Sequence, residues 1–304
     1  MAMPMPAISL AAVPGRRAAI IEFAQQAEQR GFAGVYLPSL GDNMALATVL
    51  ATATSRVPFG TSIMPIYFRA PLDLAQTAAF VHEVSGGRFR FGVGISHAPA
   101  HARHGVTPGR PLADMREFVA TMRSAERVGS MPPIILATLR KRMIKLAAEI
   151  ADGMVFANGS RSYMATSLGE LPAAQRADEN FFIGNMIPTC ISDDVAAAAA
   201  VNRRTLLNYA RLENYRNYWR EAGYEQEMDD AEAAIAAKDN SALSAALSDR
   251  WLADNTLYGP VDKVLEGLEA WYAAGIRTPI LVPSSAAGNQ LTAIEELFAA
   301  CAKL

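Results

Sequence analysis

Cysteine is scarce in this sequence. Only two of the 304 residues are cysteines, Cys190 and Cys301, and they form neither a C-x-x-C pair nor a zinc-binding spacing. Two cysteines cannot build a disulfide framework for a chain of this length, so we predict a reduced, cytoplasmic protein.

An excess of charge of one sign is also absent. The chain has 28 Lys and Arg against 30 Asp and Glu, a net charge of −2, so it lacks the basic surface that nucleic acids require. No apolar run reaches the ~18 residues that a membrane span needs. Arg16 and Arg17 follow the apolar N-terminal run, whereas a signal peptide has its basic residues before that run. Neither nucleic acid nor membrane is therefore an expected partner.

A large hydrophobic core is what the composition does provide, since 51% of the residues are hydrophobic and 19% are charged. Short β-rich runs alternate with helical patterns such as Ile20, Phe23, Ala24 and Ala27. The predicted strands cover residues 7–13, 34–38, 57–64, 88–94, 133–137, 154–157, 181–188 and 278–282. Helix-separated strands in roughly 250–300 residues predict a single TIM (β/α)8 barrel over residues 1–304, with a doubly wound parallel sheet as the alternative.

Residues 193–258 are the exception to this alternation. The segment is alanine-rich, mostly helical and longer than one crossover helix, and we interpret it as an insertion after strand seven at the C-terminal face of the barrel. Tyr218 and Trp219 within it are candidate substrate contacts. The alternative is that such aromatic residues pack the insertion on the barrel.

Three of the four histidines lie close together, at His97, His101 and His104. Spacings of four and three residues place side chains on one face of a helix. The histidines are candidate catalytic residues that orient substrate or move protons, and the alternative is a polar loop without a catalytic role. Pro99 lies inside the run and no cysteine or H-E-x-x-H motif accompanies it, so we predict no metal site.

The sequence contains only part of a dinucleotide-binding motif. His97 occupies the position where the third glycine of a G-x-G-x-x-G fingerprint would follow Gly92 and Gly94. A different feature follows the fifth predicted strand, where Thr138, Arg140 and Lys141 lead directly into a helix. A helix start with a hydroxyl and basic side chains attracts phosphate, although Thr138 also fits an ordinary N-cap.

Several segments together resemble the bacterial-luciferase-like superfamily, especially its branch that depends on the deazaflavin coenzyme F420. The resemblance is carried by residues 27–36 (AEQRGFAGVY), 59–65 (FGTSIMP), 85–94 (SGGRFRFGVG), 132–137 (PPIILA) and 257–260 (LYGP). It implies a TIM barrel that binds a flavin or deazaflavin at the C-terminal face of its strands.

The resemblance also implies a set of site residues. A cis peptide bond is expected between Ser62 and Ile63, with Ile63 pressed against one face of the cofactor ring. The implied cofactor residues are Ser39, Ser62, Ile63, Gly94, Ile95, Ser96, Ala137, Thr138, Leu139, Arg140, Asn158 and Gly159. Tyr67 and Arg69 are candidate substrate contacts beside them. Basic residues at Arg69, Arg140, Lys141 and Arg161 favour coenzyme F420, whose anionic tail is longer, over FMN.

One departure from the family pattern concerns the proton donor. Several relatives place a histidine or an acid after strand two, where this chain has Pro38, Ser39 and Leu40. The histidine cluster is the nearest replacement, and Asp42 is a weaker one. We therefore predict an oxidoreductase that uses reduced coenzyme F420 or FMN for hydride transfer or monooxygenation of a small organic substrate.

Partners and alternatives follow from this interpretation. Oxygen chemistry with FMN implies a separate cofactor reductase, and the helices near residues 45–53 and 74–81 predict a homodimer. The alternatives are a cofactor-binding barrel without redox turnover and a metal-dependent hydrolase built on the histidine cluster.

Overall fold

The computed structural model describes residues 3–304, so Met1 and Ala2, where the apolar N-terminal run begins, lie outside it. The described residues group into two compact units. The N-terminal unit comprises Pro4–Phe156 and Gly169–Gly184. The C-terminal unit comprises Met3, Ala157–Leu168 and Asn185–Leu304. No helix among residues 3–304 is long and apolar enough to cross a membrane.

The N-terminal unit is built on parallel strands. They are β1 (Ala7–Ser9), β2 (Val35–Leu37), β3 (Phe59–Thr61), β4 (Met64–Pro65), β5 (Phe89–Gly94), β6 (Ile134–Ala137) and β7 (Gly153–Ala157). Their order is β1-β2-β3-β5-β6-β7, with β4 also pairing with β5. Because all these strands run in one direction, the loops that follow them collect at one edge of the sheet, where barrels of this class carry their sites.

Helices separate these strands, as the apolar periodicity predicts. They are α1 (Arg17–Gln29), α2 (Asn43–Ala53), α3 (Pro71–Val84), α4 (Ala98–Arg103), α5 (Pro111–Arg123), α6 (Lys141–Ile150) and α8 (Ala173–Ala177). In α1 the buried residues are the predicted ones, Ile20, Phe23, Ala24 and Ala27. The strands themselves are almost entirely buried, which is typical of parallel sheets covered by helices.

The C-terminal unit contains the predicted helical insertion. After β8 (Phe182–Ile191), whose residues 182–184 belong to the N-terminal unit, five helices precede the next strand. These are α9 (Val195–Ala210), α10 (Glu213–Glu221), α11 (Glu225–Ala236), α12 (Asn240–Ala246) and α13 (Asp249–Asn255). The remaining elements are α7 (Met164–Gly169), β9 (Leu257–Gly259), α14 (Val261–Ala273), β10 (Thr278–Ser284) and α15 (Gln290–Cys301). Strand β8 pairs with both β9 and β10.

The predicted elements and the structure differ most in the following respects. The first strand ends at Ser9 instead of residue 13, and the predicted strand 57–64 is interrupted at Ser62 and Ile63. The helix α4 forms despite Pro99, because proline is tolerated in the first turn, where its missing N–H costs nothing. Strand β9 was missed because three residues are too few to show periodicity, and its pairing with β8 comes from a distant part of the sequence.

Candidate functional site

The interruption between β3 and β4 places Ile63 at the carboxyl edge of the sheet. The peptide bond between Ser62 and Ile63 is cis, as the resemblance implies. The Ser62 N–H donates to the Leu37 carbonyl at 2.7 Å, and the buried Asn43 side chain donates to the carbonyls of Leu37 and Ile63 at 3.4 and 3.2 Å. Asn43 thus holds the backbone on which Ile63 is presented. Sequence reasoning missed it, and the available signal was an amide at the start of an otherwise apolar helix.

Gly94 packs directly against Ile63. A Cβ atom added at Gly94 would lie 2.8 Å from Ile63 Cγ1 and Cδ1 and 2.9 Å from Ala137 Cβ. The structure therefore brings Ile63, Gly94 and Ala137, three of the predicted cofactor residues, into one cluster at the ends of three strands. Any larger side chain at position 94 would therefore have to displace Ile63 or Ala137.

The loop after β6 carries a buried hydroxyl beside this cluster. Thr138 is 5% exposed, its N–H donates to the Val155 carbonyl at 2.9 Å, and its Oγ1 has no hydrogen-bond partner among residues 3–304. Arg140, not Thr138, is the N-cap residue of α6, and its side chain makes no capping hydrogen bond. The alternative that Thr138 is an ordinary N-cap is therefore wrong. Leu139 lies between them, half-buried.

Ser62 carries a second hydroxyl of the same kind. The side chain is buried, and Ser62 Oγ also has no hydrogen-bond partner among the described residues. An unsatisfied buried hydroxyl costs about 1–3 kcal/mol, and a bound ligand with acceptor atoms removes that cost. The two hydroxyls are therefore donors that a cofactor with acceptor atoms could engage beside the cluster of Ile63, Gly94 and Ala137.

The three clustered histidines have different environments. His97 is the N-cap residue of α4, and His101 is buried within that helix with Nε2 2.7 Å from the Ile95 carbonyl oxygen. His104 is exposed and stacks on Phe68 with the ring centroids 4.0 Å apart. Within residues 3–304, no three His, Cys, Asp or Glu side chains are grouped so that they could hold a metal ion.

The surroundings of His97 perturb its protonation. Burial, reinforced by the charge of His101, lowers the pKa of His97 below its usual value. The folded protein therefore favours the neutral imidazole at this position near pH 7, which is the form that accepts a proton.

The predicted substrate contacts of the N-terminal unit are already engaged by protein groups. The Tyr67 hydroxyl donates to Asp114 Oδ2 at 2.6 Å, and burial together with the Asp114 carboxylate raises the pKa of Tyr67. Arg69 forms an ion pair with Asp73 one helical turn away, at 3.0 Å. Asp114 was missed because it lies on α5, far from Tyr67 in the sequence.

Strand β2 is followed by an exposed serine, Ser39, and by an aspartate that caps the next helix, Asp42. Asp42 caps α2 by accepting a hydrogen bond from the Ala45 N–H at 3.0 Å. The capping bond accounts for the position of Asp42, which makes it a poor replacement for the missing proton donor.

In the C-terminal unit, the loop after β7 is held by strand β8 and by the helical insertion. The N–H groups of Gly159 and Ser160 donate to Asn185 Oδ1 at 3.3 Å and to the Tyr218 hydroxyl at 2.9 Å. The indole of Trp219 donates to the Asn158 carbonyl at 3.3 Å. Asn158 adopts a φ of 57°, so these contacts hold a backbone conformation that is uncommon for a residue other than glycine.

The prediction that Tyr218 and Trp219 contact substrate is corrected by their burial. Both side chains are 0% exposed and their polar atoms bind the 158–160 backbone. Burial raises the pKa of Tyr218 to about 12, so its hydroxyl stays protonated. The alternative of aromatic packing within the insertion is the one the structure supports, because the hydroxyl and indole groups satisfy backbone partners that would otherwise be buried unpaired.

Comparison with known proteins identifies sequences that are similar to this chain. A family model described as luciferase-like monooxygenase matches residues 5–278. A protein of Mycobacterium tuberculosis, provisionally named a coenzyme F420-dependent oxidoreductase, is 26% identical in an alignment that covers 87% of this chain and 90% of that protein.

Two solved structures show the fold. The coenzyme F420-dependent tetrahydromethanopterin reductase from Methanopyrus kandleri aligns with a TM-score of 0.75 and 16% identity, covering 97% of each chain. An F420-dependent secondary alcohol dehydrogenase in complex with an F420–acetone adduct aligns with a TM-score of 0.72 and 17% identity, covering 97% of this chain and 98% of that one. The likeness confirms the predicted TIM-barrel fold class.

Proposed function

The chain belongs to the luciferase-like monooxygenase family, whose model matches most of its length, and we propose that it uses reduced coenzyme F420 for hydride transfer to a small organic substrate. The family makes it an oxidoreductase. The cofactor, the direction of transfer and the substrate are our proposal. Similarity to a relative named for coenzyme F420 supports it.

The observation that carries the proposal is the environment of Thr138. Its buried hydroxyl has no hydrogen-bond partner within residues 3–304 and lies two residues before Arg140, the N-cap of α6, whose first residue is Lys141. A helix start with a hydroxyl and basic side chains attracts a phosphate. Thr138 and the first turn of α6 would hold that phosphate. Ile63, packed on Gly94, would provide the apolar surface against the ring system.

The chemistry is divided between cofactor and protein. When bound in its reduced form, coenzyme F420 supplies a hydride, and the protein supplies orientation and a proton path. His97 is our candidate for donating that proton to the substrate, because its lowered pKa makes the protonated imidazole a stronger acid than an ordinary histidine. Ser39, Ile95, Ser96, Leu139, Asn158 and Gly159 remain predicted cofactor contacts.

Thr138→Val tests the phosphate site. A hydrogen bond to a charged group contributes about 1.5–3 kcal/mol, so we expect the variant to bind coenzyme F420 roughly 10–100-fold more weakly, measured by fluorescence titration. Thr189→Val is the matched control, because Thr189 is equally buried but its hydroxyl donates to the Ile187 carbonyl at 2.9 Å. Equal affinities of the wild type and Thr138→Val would refute the assignment.

We also propose that a second copy of the chain covers the outer face of α2 and α3. The prediction named residues 74–81, but Leu74 and Val81 are fully buried. The exposed large apolar residues of the two helices are Val49, Leu72, Phe80 and Val84. Phe80 and Val84 lie one turn apart on α3, and neighbouring exposed apolar side chains are typical of an association surface.

Phe80→Asp tests the homodimer. Phe80 is 55% exposed, so the substitution leaves the core intact but places a charge in the proposed interface. We expect the wild type to sediment as a dimer and the variant as a monomer at the same concentration. Val195→Asp, which alters another exposed apolar residue on a different helix, should leave the dimer unchanged. A monomeric wild type would contradict the proposal.

A further inference from the structure

The buried ring of His101 makes one defined polar contact. Its Nε2 lies 2.7 Å from the carbonyl oxygen of Ile95, and the residue is 6% exposed. A carbonyl oxygen accepts only, so Nε2 must carry the proton and donate it. This nitrogen is therefore committed to the backbone and is not the atom that exchanges protons with a substrate.

The carbonyl that His101 holds lies in a sharply turning segment. Gly94 is packed against Ile63, and its carbonyl accepts from the Ile66 N–H at 3.0 Å. Two residues later Ser96 has a φ of 67°, in the left-handed region that residues other than glycine rarely adopt. The segment 94–96 is thus fixed at Gly94 by Ile66 and at Ile95 by His101.

The His101 ring also packs against Tyr67, which lies in the loop after β4. The Tyr67 ring packs edge-on against it, with centroids 5.4 Å apart and an interplanar angle of 87°. The Tyr67 hydroxyl is anchored by Asp114 Oδ2 at 2.6 Å. Asp114, Tyr67 and His101 therefore form a continuous line of contacts that ends on the Ile95 carbonyl.

We propose that His101 is a positioning residue that fixes the Ile95–Ser96 backbone against the ring of the bound deazaflavin. The inference rests on the proposed function, and it assigns separate roles to histidines that the sequence presents as one cluster. His101 sets the shape of the cofactor surface, whereas His97 is left to handle the proton. The line from Asp114 through Tyr67 makes this surface rigid before the cofactor arrives.

The test compares two substitutions of His101, one that keeps a hydrogen-bond donor and one that removes it. His101→Gln places an amide near the position of Nε2, whereas His101→Met fills similar volume without a donor. We expect His101→Met to bind oxidised coenzyme F420 about 10-fold more weakly, with a shifted absorption maximum for the bound cofactor, and His101→Gln to restore both. His104→Met is the control, because His104 is exposed and contacts Phe68 instead of the 95–96 backbone.

The outcomes separate this inference from the proposed function. If wild type does not bind coenzyme F420, the proposed function fails. If the wild type binds and His101→Met shows the same affinity and spectrum, the positioning role is wrong. Should His101→Met fail to fold, Tyr67→Phe removes the anchor on Asp114 but keeps the ring. A shift of the bound cofactor's absorption maximum that is smaller than the one expected for His101→Met supports the role. An absorption maximum equal to that of the wild type overturns it.

Discussion

Gly94→Ala is expected to leave the protein folded but to weaken cofactor binding about 100-fold. The added methyl group would lie 2.8 Å from Ile63 Cγ1 and Cδ1 and 2.9 Å from Ala137 Cβ. The end of the Ile63 side chain is able to move, whereas Ala137 Cβ moves only with its backbone, so we expect overpacking to cost about 1–3 kcal/mol of folding free energy. The same movement displaces the surface proposed to support the ring, and an overpacking cost of up to about 3 kcal/mol in the bound complex corresponds to roughly 100-fold in affinity.

Titration with coenzyme F420, together with thermal unfolding, measures both effects of Gly94→Ala. Gly169→Ala is the matched control, because no atom lies within 4 Å of the added Cβ there. Cofactor affinity that is equal in the Gly94 and Gly169 variants would show that Ile63 and Gly94 do not form the ring surface.

Gly92→Ala is expected to prevent stable folding. Its added Cβ would lie only 1.9 Å from the carbonyl oxygen of Thr61, and that carbonyl belongs to the backbone of a buried strand. No side-chain rotation relieves such a contact, so strand β3 or β5 must move, at a cost of more than about 3 kcal/mol. The expected result is a large fall in the urea midpoint or insoluble expression.

The two glycine variants together distinguish packing against a side chain from packing against backbone. Gly92 and Gly94 lie on one strand, two residues apart, and point to the same side. If Gly92→Ala unfolded at the same urea concentration as wild type, the close approach of β3 and β5 in the structure would be wrong.

Sequence patterns were sufficient where the signal was local. Alternating strands and helices predicted the barrel, and residues 59–65 and 85–94 carried the resemblance that implied cofactor contacts at Ile63 and Gly94. The cis bond at Ser62 was implied by the same motif and is present. The barrel followed from local periodicity, whereas the cis bond and the cofactor residues were implied by the family resemblance.

Partners that are distant in sequence were the ones that sequence reasoning could not supply. Tyr218 and Trp219 looked like a substrate surface because aromatic residues line many pockets, but the 158–160 backbone satisfies them in the interior. Asp114 is 47 residues from Tyr67, and Asn43 holds a carbonyl 20 residues away. The histidine run showed spacing, but only the fold showed that His101 is engaged with Ile95.

The cofactor itself is the central claim, and a paired titration tests it most directly. The purified protein is titrated with coenzyme F420 and, separately, with FMN in the same buffer, and the two dissociation constants are compared. We predict that coenzyme F420 binds at least about 10-fold more tightly, because its longer anionic tail gains from basic groups around the α6 start. Tighter binding of FMN would contradict the account and favour oxygen chemistry with a partner reductase.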